Sequence, residues 1–465
     1  MVMKLKLSNG LSGSLNFGFV FTRYFLRPFI IFLIAAFVMS GLSFSVFADI
    51  GDGPAYGKGR LSYNNFMKSM QHLTSNDFSG VEKVSDFISK VGISDGELLQ
   101  LSDLGKKIYN KYKVEIDDLI NNYDRLVDIA NPLPGEAQYA AIRSSDPVID
   151  FKYTRALARV LAAVSRWLES EKRYEDALKL TTLTWRFGQI MHNGDSGVSS
   201  LITAMIGTSV KNIAARENIC RLLIAGDFDA GFYRSYSTRL LKLIDDEMDM
   251  SQIMYCERRS FINVVEYEVF VKSGVKTEYS EMVDKLPADR FEEGKKYSTD
   301  IFNAYFDSVS VYLTEYKDEP YNLSVHIEAM SKKIAERGQP SLWNLLNPVK
   351  SVGDILLAIA VPNFSRAYEQ FLCSKYYPYG AAILAKTLAE VKGGAAVPES
   401  IEALEKLCGI KLLNDYFNKD KGPLIYKKIG DYYMLYSRGA DYNDDNADSD
   451  KDVVLFRIPA GRKGE

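Results

Sequence analysis

Histidine and cysteine are scarce in this chain, three and four residues of 465, and neither falls in a pattern that carries chemistry. There is no HExxH and no CxxC, so the sequence nominates no zinc-protease helix and no dithiol redox pair. His72, His192 and His326 stand far apart, and His326-Ile327-Glu328 reads as a pair on a helix surface rather than a ligand set. Net charge is nearly absent as well. Lys and Arg number 57 against 60 Asp and Glu, a formal −3, and no long basic run occurs. That balance excludes a general attraction to nucleic acid or to an anionic membrane surface.

What the chain has is apolar surface and helical rhythm. Its 47% hydrophobic residues can supply a real core, and its length suits two or three domains at roughly 100 to 200 residues each. Lys4, Lys6, Arg23 and Arg27 precede an apolar run, Phe29 to Ala48, that closes in Val46-Phe47-Ala48. This reads as an export signal processed after Ala48, with an uncleaved membrane anchor as the rival, since about 20 apolar residues span a bilayer. Residues 1–48 are thus assigned as signal peptide or anchor, the sole membrane contact expected, and the rest as exported to the periplasm or the outer face of the cytoplasmic membrane. Cys220, Cys256, Cys373 and Cys408 then enter an oxidising compartment. On consecutive antiparallel helices Cys220 and Cys256 would lie far apart, so buried free thiols are expected.

Beyond a Gly-rich tether over residues 49–60, the expected fold is mainly α. An irregular array of helical hairpins fills a body over residues 61–363, and a small α+β unit with about three antiparallel strands ends the chain. Apolar periodicity predicts one helix from about Gly96 to Ile129 and a hairpin over Tyr153 to Met191 whose Leu157, Val160, Leu161, Val164 and Leu168 share a face. It predicts further helices from Val198 to Ile224, from Asp229 to about Arg259, from Tyr297 to Tyr316 and from Val325 to Arg337. Within the second of these, Asp245-Asp246-Glu247-Met248-Asp249 reads as a charged helix face. Ser273 to Lys296 reads as a polar connection and Pro340 to Asn363 as a Pro-marked segment. The terminal unit, residues 364–465, begins with a long helix from Phe364 to Val391 that Gly393-Gly394 ends. Strand composition follows in PLIYKK, DYYMLYS and VVLFRI, with Ile429-Gly430 as the turn, and these strands are expected to pack on that long helix.

The order of residues in that unit is a Pro-led helix (Pro398, Ser400, Leu404), Asp415-Tyr416-Phe417, a strand ending Tyr436-Ser437-Arg438-Gly439, and an Asp-rich loop closed by Asp452-Val453. This stretch resembles the C-terminal region of the major, G-type pseudopilin of type II secretion systems, with tyrosine where that pattern has proline after the first Asp. The resemblance covers about a seventh of the chain. Gly18-Phe19 is followed by Arg23 where a prepilin leader places Glu, so it concerns the C-terminal module alone. It implies a calcium-binding loop, with Asp441 and Asp452 as ligands by position.

The residues give their own argument for a cation. Asp441, Asp444, Asp445, Asp448, Asp450 and Asp452 crowd one loop with only Lys451 among them. Like charges that close repel, and a hard divalent ion with oxygen ligands relieves the repulsion. Asp441, Asn443, Asp445 and Asp452 also stand at positions 1, 3, 5 and 12 of an EF-hand-like spacing, although Asn446 replaces the turn glycine and Asp452 the usual Glu. The expected metal site is therefore Ca²⁺ held by Asp441 and Asp452 with Asn443, Asp445 or Asp450. The functional expectation is a binding or structural protein of the cell envelope. An exported hydrolase with a site assembled from distant residues, or a secretion-system component, stands as the alternative.

Overall fold

A computed structural model of the chain describes residues 95–128, 151–193, 201–216, 218–265, 270, 290–316, 319–337, 350, 353–354, 357 and 364–461. The export signal, the tether, most of the polar connection and most of the Pro-marked segment lie outside them. Among the described residues no helix is long and apolar enough to cross a membrane. The architecture is mainly helical, with a small three-stranded antiparallel sheet at the end.

The first predicted helix is three: α1 Asp95–Lys111, α2 Lys113–Asn121 and α3 Tyr123–Val127. Tyr112 (φ −121°, ψ 35°) and Asn122 (φ −97°, ψ 14°) leave helical geometry. At the second break the Asn122 amide turns back to the Asp118 carbonyl and carboxylate, each at 2.8 Å. Such local side-chain bonds compete with the helix ladder. The redirected chain buries Ile116, Leu119, Tyr123 and Val127.

The predicted hairpin is present as α4 Phe151–Ser170 and α5 Tyr174–Asn193, and all five residues of its expected face are buried. Helix α6, Leu201–Ala215, crosses α5 almost backbone to backbone: a Cβ on Gly188 would stand 2.7 Å from the Gly207 carbonyl oxygen. Two more predicted helices are interrupted. α6 gives way to α7, Asn218–Gly226. α8, Ala230–Asp245, gives way to α9, Met250–Val264. Asp229 caps α8 by accepting from the Phe232 amide at 2.8 Å, and Asp249 caps α9 in a reciprocal box with Gln252. Apart from Asp245, the last residue of α8, the acidic stretch is thus a turn between helices over residues 246–249, not the face of one.

α10 Phe291–Glu315 starts six residues before the expected Tyr297, and α11 Pro320–Arg337 follows it. The long helix, α12 Phe364–Lys392, has the predicted extent and is the hub of the molecule. It touches α6, α7, α8, α11, the short helix α13 (Ile401–Cys408) and the sheet. Ala381, Ala382, Ile383, Leu384 and Ala385 are all fully buried, as a helix covered on every side requires. All four cysteines are buried free thiols, as expected.

After α13, capped by Ser400, come β1 Ile425–Ile429, β2 Tyr432–Ser437 and β3 Val453–Pro459, paired in the order β1-β2-β3. Ile429 faces Tyr432 across a turn at Gly430, and a bulge between Leu435 and Tyr436 shifts the β2–β3 register. The sheet packs on α12 through β3, where Gly380 lets Leu455 approach: a Cβ there would lie 2.6 Å from Leu455 Cβ and 2.9 Å from its carbonyl oxygen.

Gly380→Ala pits two effects against each other. Helix propensity favours alanine by about 1 kcal/mol, whereas overpacking against a backbone costs about 1–3 kcal/mol. The clash is with backbone as well as side chain, so a net loss of about 1 kcal/mol in urea unfolding of the full chain is expected. A rise in the unfolding midpoint would show that β3 does not seat there.

Candidate functional site

The acidic loop leaves β2 through Gly439, whose φ of 70° suits glycine, and a Cβ there would overlap the Lys451 carbonyl. The strand's exit is therefore pressed against the residue that precedes Asp452. Anchoring comes from the Asp415-Tyr416-Phe417 turn. Asp415 is buried, and its carboxylate accepts from Ser437 Oγ at 2.5 Å, the Phe417 amide at 3.0 Å, the Arg438 amide at 3.2 Å and the Arg438 guanidinium at 3.1 Å. The two short motifs that the sequence shows more than twenty residues apart are one hydrogen-bonded unit.

Inside the loop, charge is handled in three ways. Asp444 receives the Tyr436 hydroxyl at 2.7 Å, the Asn446 amide at 3.0 Å and Lys427 Nζ at 3.1 Å. Burial pushes its carboxyl up, but those donors outweigh it and hold the group below the ordinary carboxylate range. Asp445 Oδ1 takes Lys451 Nζ at 2.8 Å, while Asp445 Oδ2 is buried with no hydrogen-bond partner. Asp452 is buried at 4% exposure and accepts only backbone amides, from Asp445 at 3.4 Å and Ala447 at 2.7 Å. Desolvation raises its pKa to about 6, the two amides oppose the rise, and the charges of Asp444 and Asp445 add to it.

The expected ligands are therefore unevenly placed. Asp445 and Asp452 meet through the Asp445 amide, with the unpartnered Asp445 oxygen close by in the chain. Asp441, Asn443 and Asp450 are exposed. The Asp441 side chain closes a local turn onto the Asn443 amide at 3.0 Å. Among the described residues no three acidic, histidine or cysteine side chains are gathered as a metal ion would need. Any cation would draw on two carboxylates supplemented by amide and carbonyl oxygens. The loop is also tied to the helices: Arg216 donates to the Ser449 carbonyl at 2.8 Å, and the Tyr442 and Tyr321 rings meet edge-on at 4.8 Å.

A second polar centre escaped the sequence. Beyond the Gly188–Gly207 crossing, Lys211 Nζ donates to Glu247 Oε1, both side chains being fully buried, and His192 Nε2 lies 3.7 Å from the same oxygen. His192 stacks on Phe371 at 5.0 Å, and its Nε2 sits 3.2 Å from the Met248 carbonyl. Burial first, and then the Lys211 charge, depress the imidazole to about pKa 3, so it is neutral. Burial alone would raise Glu247, but the charge and hydrogen bond of Lys211, with Lys375 adding to them, outweigh it and keep the carboxylate charged. His326 lies on α11, its Nδ1 at 2.7 Å from the Asn322 carbonyl and its ring stacked on Tyr316. The available signal for the buried centre was Lys211, a lone lysine within the otherwise apolar helix Leu201–Ala215.

Comparison of the chain with family models, with curated proteins and with solved structures finds no match.

Removing one partner of each buried unit separates their roles. Asp415→Ala strands four donors and is expected to cost about 3 kcal/mol or more in denaturant unfolding, with the loss centred on the sheet. For the second centre, Glu247→Leu or Lys211→Met alone should cost about 3–5 kcal/mol, while the double replacement recovers most of that. Single variants as stable as wild type would contradict a desolvated ion pair.

Proposed function

We propose that the protein is an exported binding or structural component of the cell envelope, whose helical body meets a partner and whose C-terminal module is stabilised by calcium. The observation that carries the calcium reading is Asp452. It is a buried carboxylate with two amide donors and no cation partner among the described residues, its pKa lifted to about 6 beside the buried, unpartnered Oδ2 of Asp445. A hard divalent cation with flexible oxygen coordination suits such a pair, and it would supply the positive charge that Lys427 and Lys451 give only to Asp444 and Asp445. Asp445 and Asp452 are the core of the proposed site. Asp441, Asn443 and Asp450 would complete it from the loop's exposed side.

The envelope assignment rests on the Arg-flanked apolar run ahead of Ala48. Partner binding rests on the helical body. Oligomeric state is left open, and no nucleic acid is expected.

Proton linkage gives the proposal a distinctive signature. The Asp452 folded pKa lies above its ordinary value of 3.8, so in the absence of metal this group favours the fold most below 3.8, and that contribution is lost as pH rises through 6. Calcium reverses the loss by replacing the proton. Melting of the full chain should therefore rise with added calcium at pH 7.5, by about 2.7 kcal/mol of stabilisation at a hundredfold excess over Kd, and much less at pH 5. Asp452→Asn should abolish the response, and magnesium should give a smaller one. A midpoint unmoved by calcium at pH 7.5, or equal responses in wild type and Asp452→Asn, would refute the site.

A further inference from the structure

Helix α9 turns Ile253, Met254 and Cys256 into the core, and Glu257, four residues after Ile253, falls on that face where an apolar residue is expected. It is only 6% exposed. Its Oε2 accepts from the Leu201 amide at 2.7 Å, across 56 residues of chain. Leu201 is the first residue of α6, so this amide has no partner within its own helix. Glu257 thereby fastens the start of α6 to α9.

The surroundings offer a charge on this carboxyl little support. From α6, the Leu201 amide is the one donor that reaches it among the described residues. From α10, Tyr305 is buried and lies in the electrostatic field of Glu257, yet its hydroxyl has no hydrogen-bond partner. On α9 itself the adjacent Arg258 is taken by Asn303 and Asp307, at 2.9 and 2.6 Å. No charged side chain among the described residues offsets the burial, in contrast to Glu247, which has Lys211. Burial therefore dominates, the Leu201 amide opposes it, and the carboxyl is pushed up from 4.5 to about 7. Water is close by. Ile202, next to Leu201, is 53% exposed, and Tyr255, two residues before Glu257, is 47% exposed.

We propose that Glu257 is a proton-operated latch at the junction of α6, α9 and α10. Protonated, it is a neutral core residue, because a carboxylic acid keeps a carbonyl oxygen to accept the Leu201 amide and buries no charge. Ionised, it carries a charge that one amide at a helix N-terminus does not offset, so the start of α6 parts from α9 and the carboxylate meets water. The folded pKa lies above the ordinary 4.5, so this group's stabilising contribution is fully present below 4.5 and is lost as pH rises through about 7. The latch is closed in acid and loosened in mild alkali. Calcium has no part in it, since Glu257 lies among the helices and not in the acidic loop.

Amide hydrogen exchange of the full chain with chelator present, at about pH 5.5 and about pH 8, tests the proposal in wild type and in Glu257→Gln. Glutamine keeps an acceptor oxygen and does not ionise. Rates are divided by those of an unstructured chain at each pH. Protection of Leu201 and of residues 205–207 in wild type is then expected to fall roughly 25-fold from the lower pH to the higher, while Glu257→Gln holds constant. Exchange at these amides should respond little to low urea, unlike that at the centre of α12, because the opening is local. The wild-type measurement decides the matter even if the variant does not fold. Equal protection at the two pH values in wild type, the same fall in folded Glu257→Gln, or a urea dependence matching that of the α12 centre would overturn the latch.

Discussion

Helix α12 has to be covered on every side, and the rest of the structure follows from that constraint. Its fully buried centre, Ala381 to Ala385, is built of small and branched apolar residues with no polar face to turn outward. At roughly 25 cal/mol per Å² of apolar surface removed from water, such a helix is stable only when other elements enclose it. Helices α6, α7 and α8 close one part of its circumference, α11 another, and the terminal sheet and α13 the remainder. The sheet, marginal by itself, gains the partner a hairpin needs, and the helical body gains a lid. Gly380 sets the distance between them.

Enclosure has a polar cost that the chain meets in two buried places. At the α5–α6 crossing, two glycines bring backbones together and seal Lys211, Glu247 and His192 from water. At the entry to the sheet, Asp415 collects four donors from β2 and its own turn. Both are charged groups buried with partners, the condition under which burial is tolerated.

Long-range order in this protein was readable where one residue type dominates a face. The α4–α5 hairpin, the extent of α12 and all three strands follow from apolar periodicity and from glycine punctuation. Helix breaks were not readable, because Asn122, the Arg216–Asn218 step and Asp246–Asp249 interrupt helices without proline or glycine. Glu247 looked like one more charge on a helix surface, since its burial depends on Lys211, thirty-six residues earlier. In the acidic loop, composition showed where negative charge collects but not how it is spent. Lys427 comes from β1 to Asp444, while Lys451 serves Asp445 from within the loop. Within the loop only Asp452 is both buried and without a cation among the described residues, a distinction invisible in a row of aspartates.

The loop is thereby the joint between module and body, touching the helices through Arg216 and Tyr321. A cation at Asp445 and Asp452 would hold the end of β2 against the start of β3 and stiffen that joint. The most direct measurement is hydrogen exchange of the Asp445 and Ala447 amides, the two donors to Asp452, with calcium and with chelator at pH 7.5. The account predicts that calcium slows exchange at these amides and along residues 439–453, leaving the α4–α5 hairpin unchanged. Identical exchange in the two conditions would contradict it.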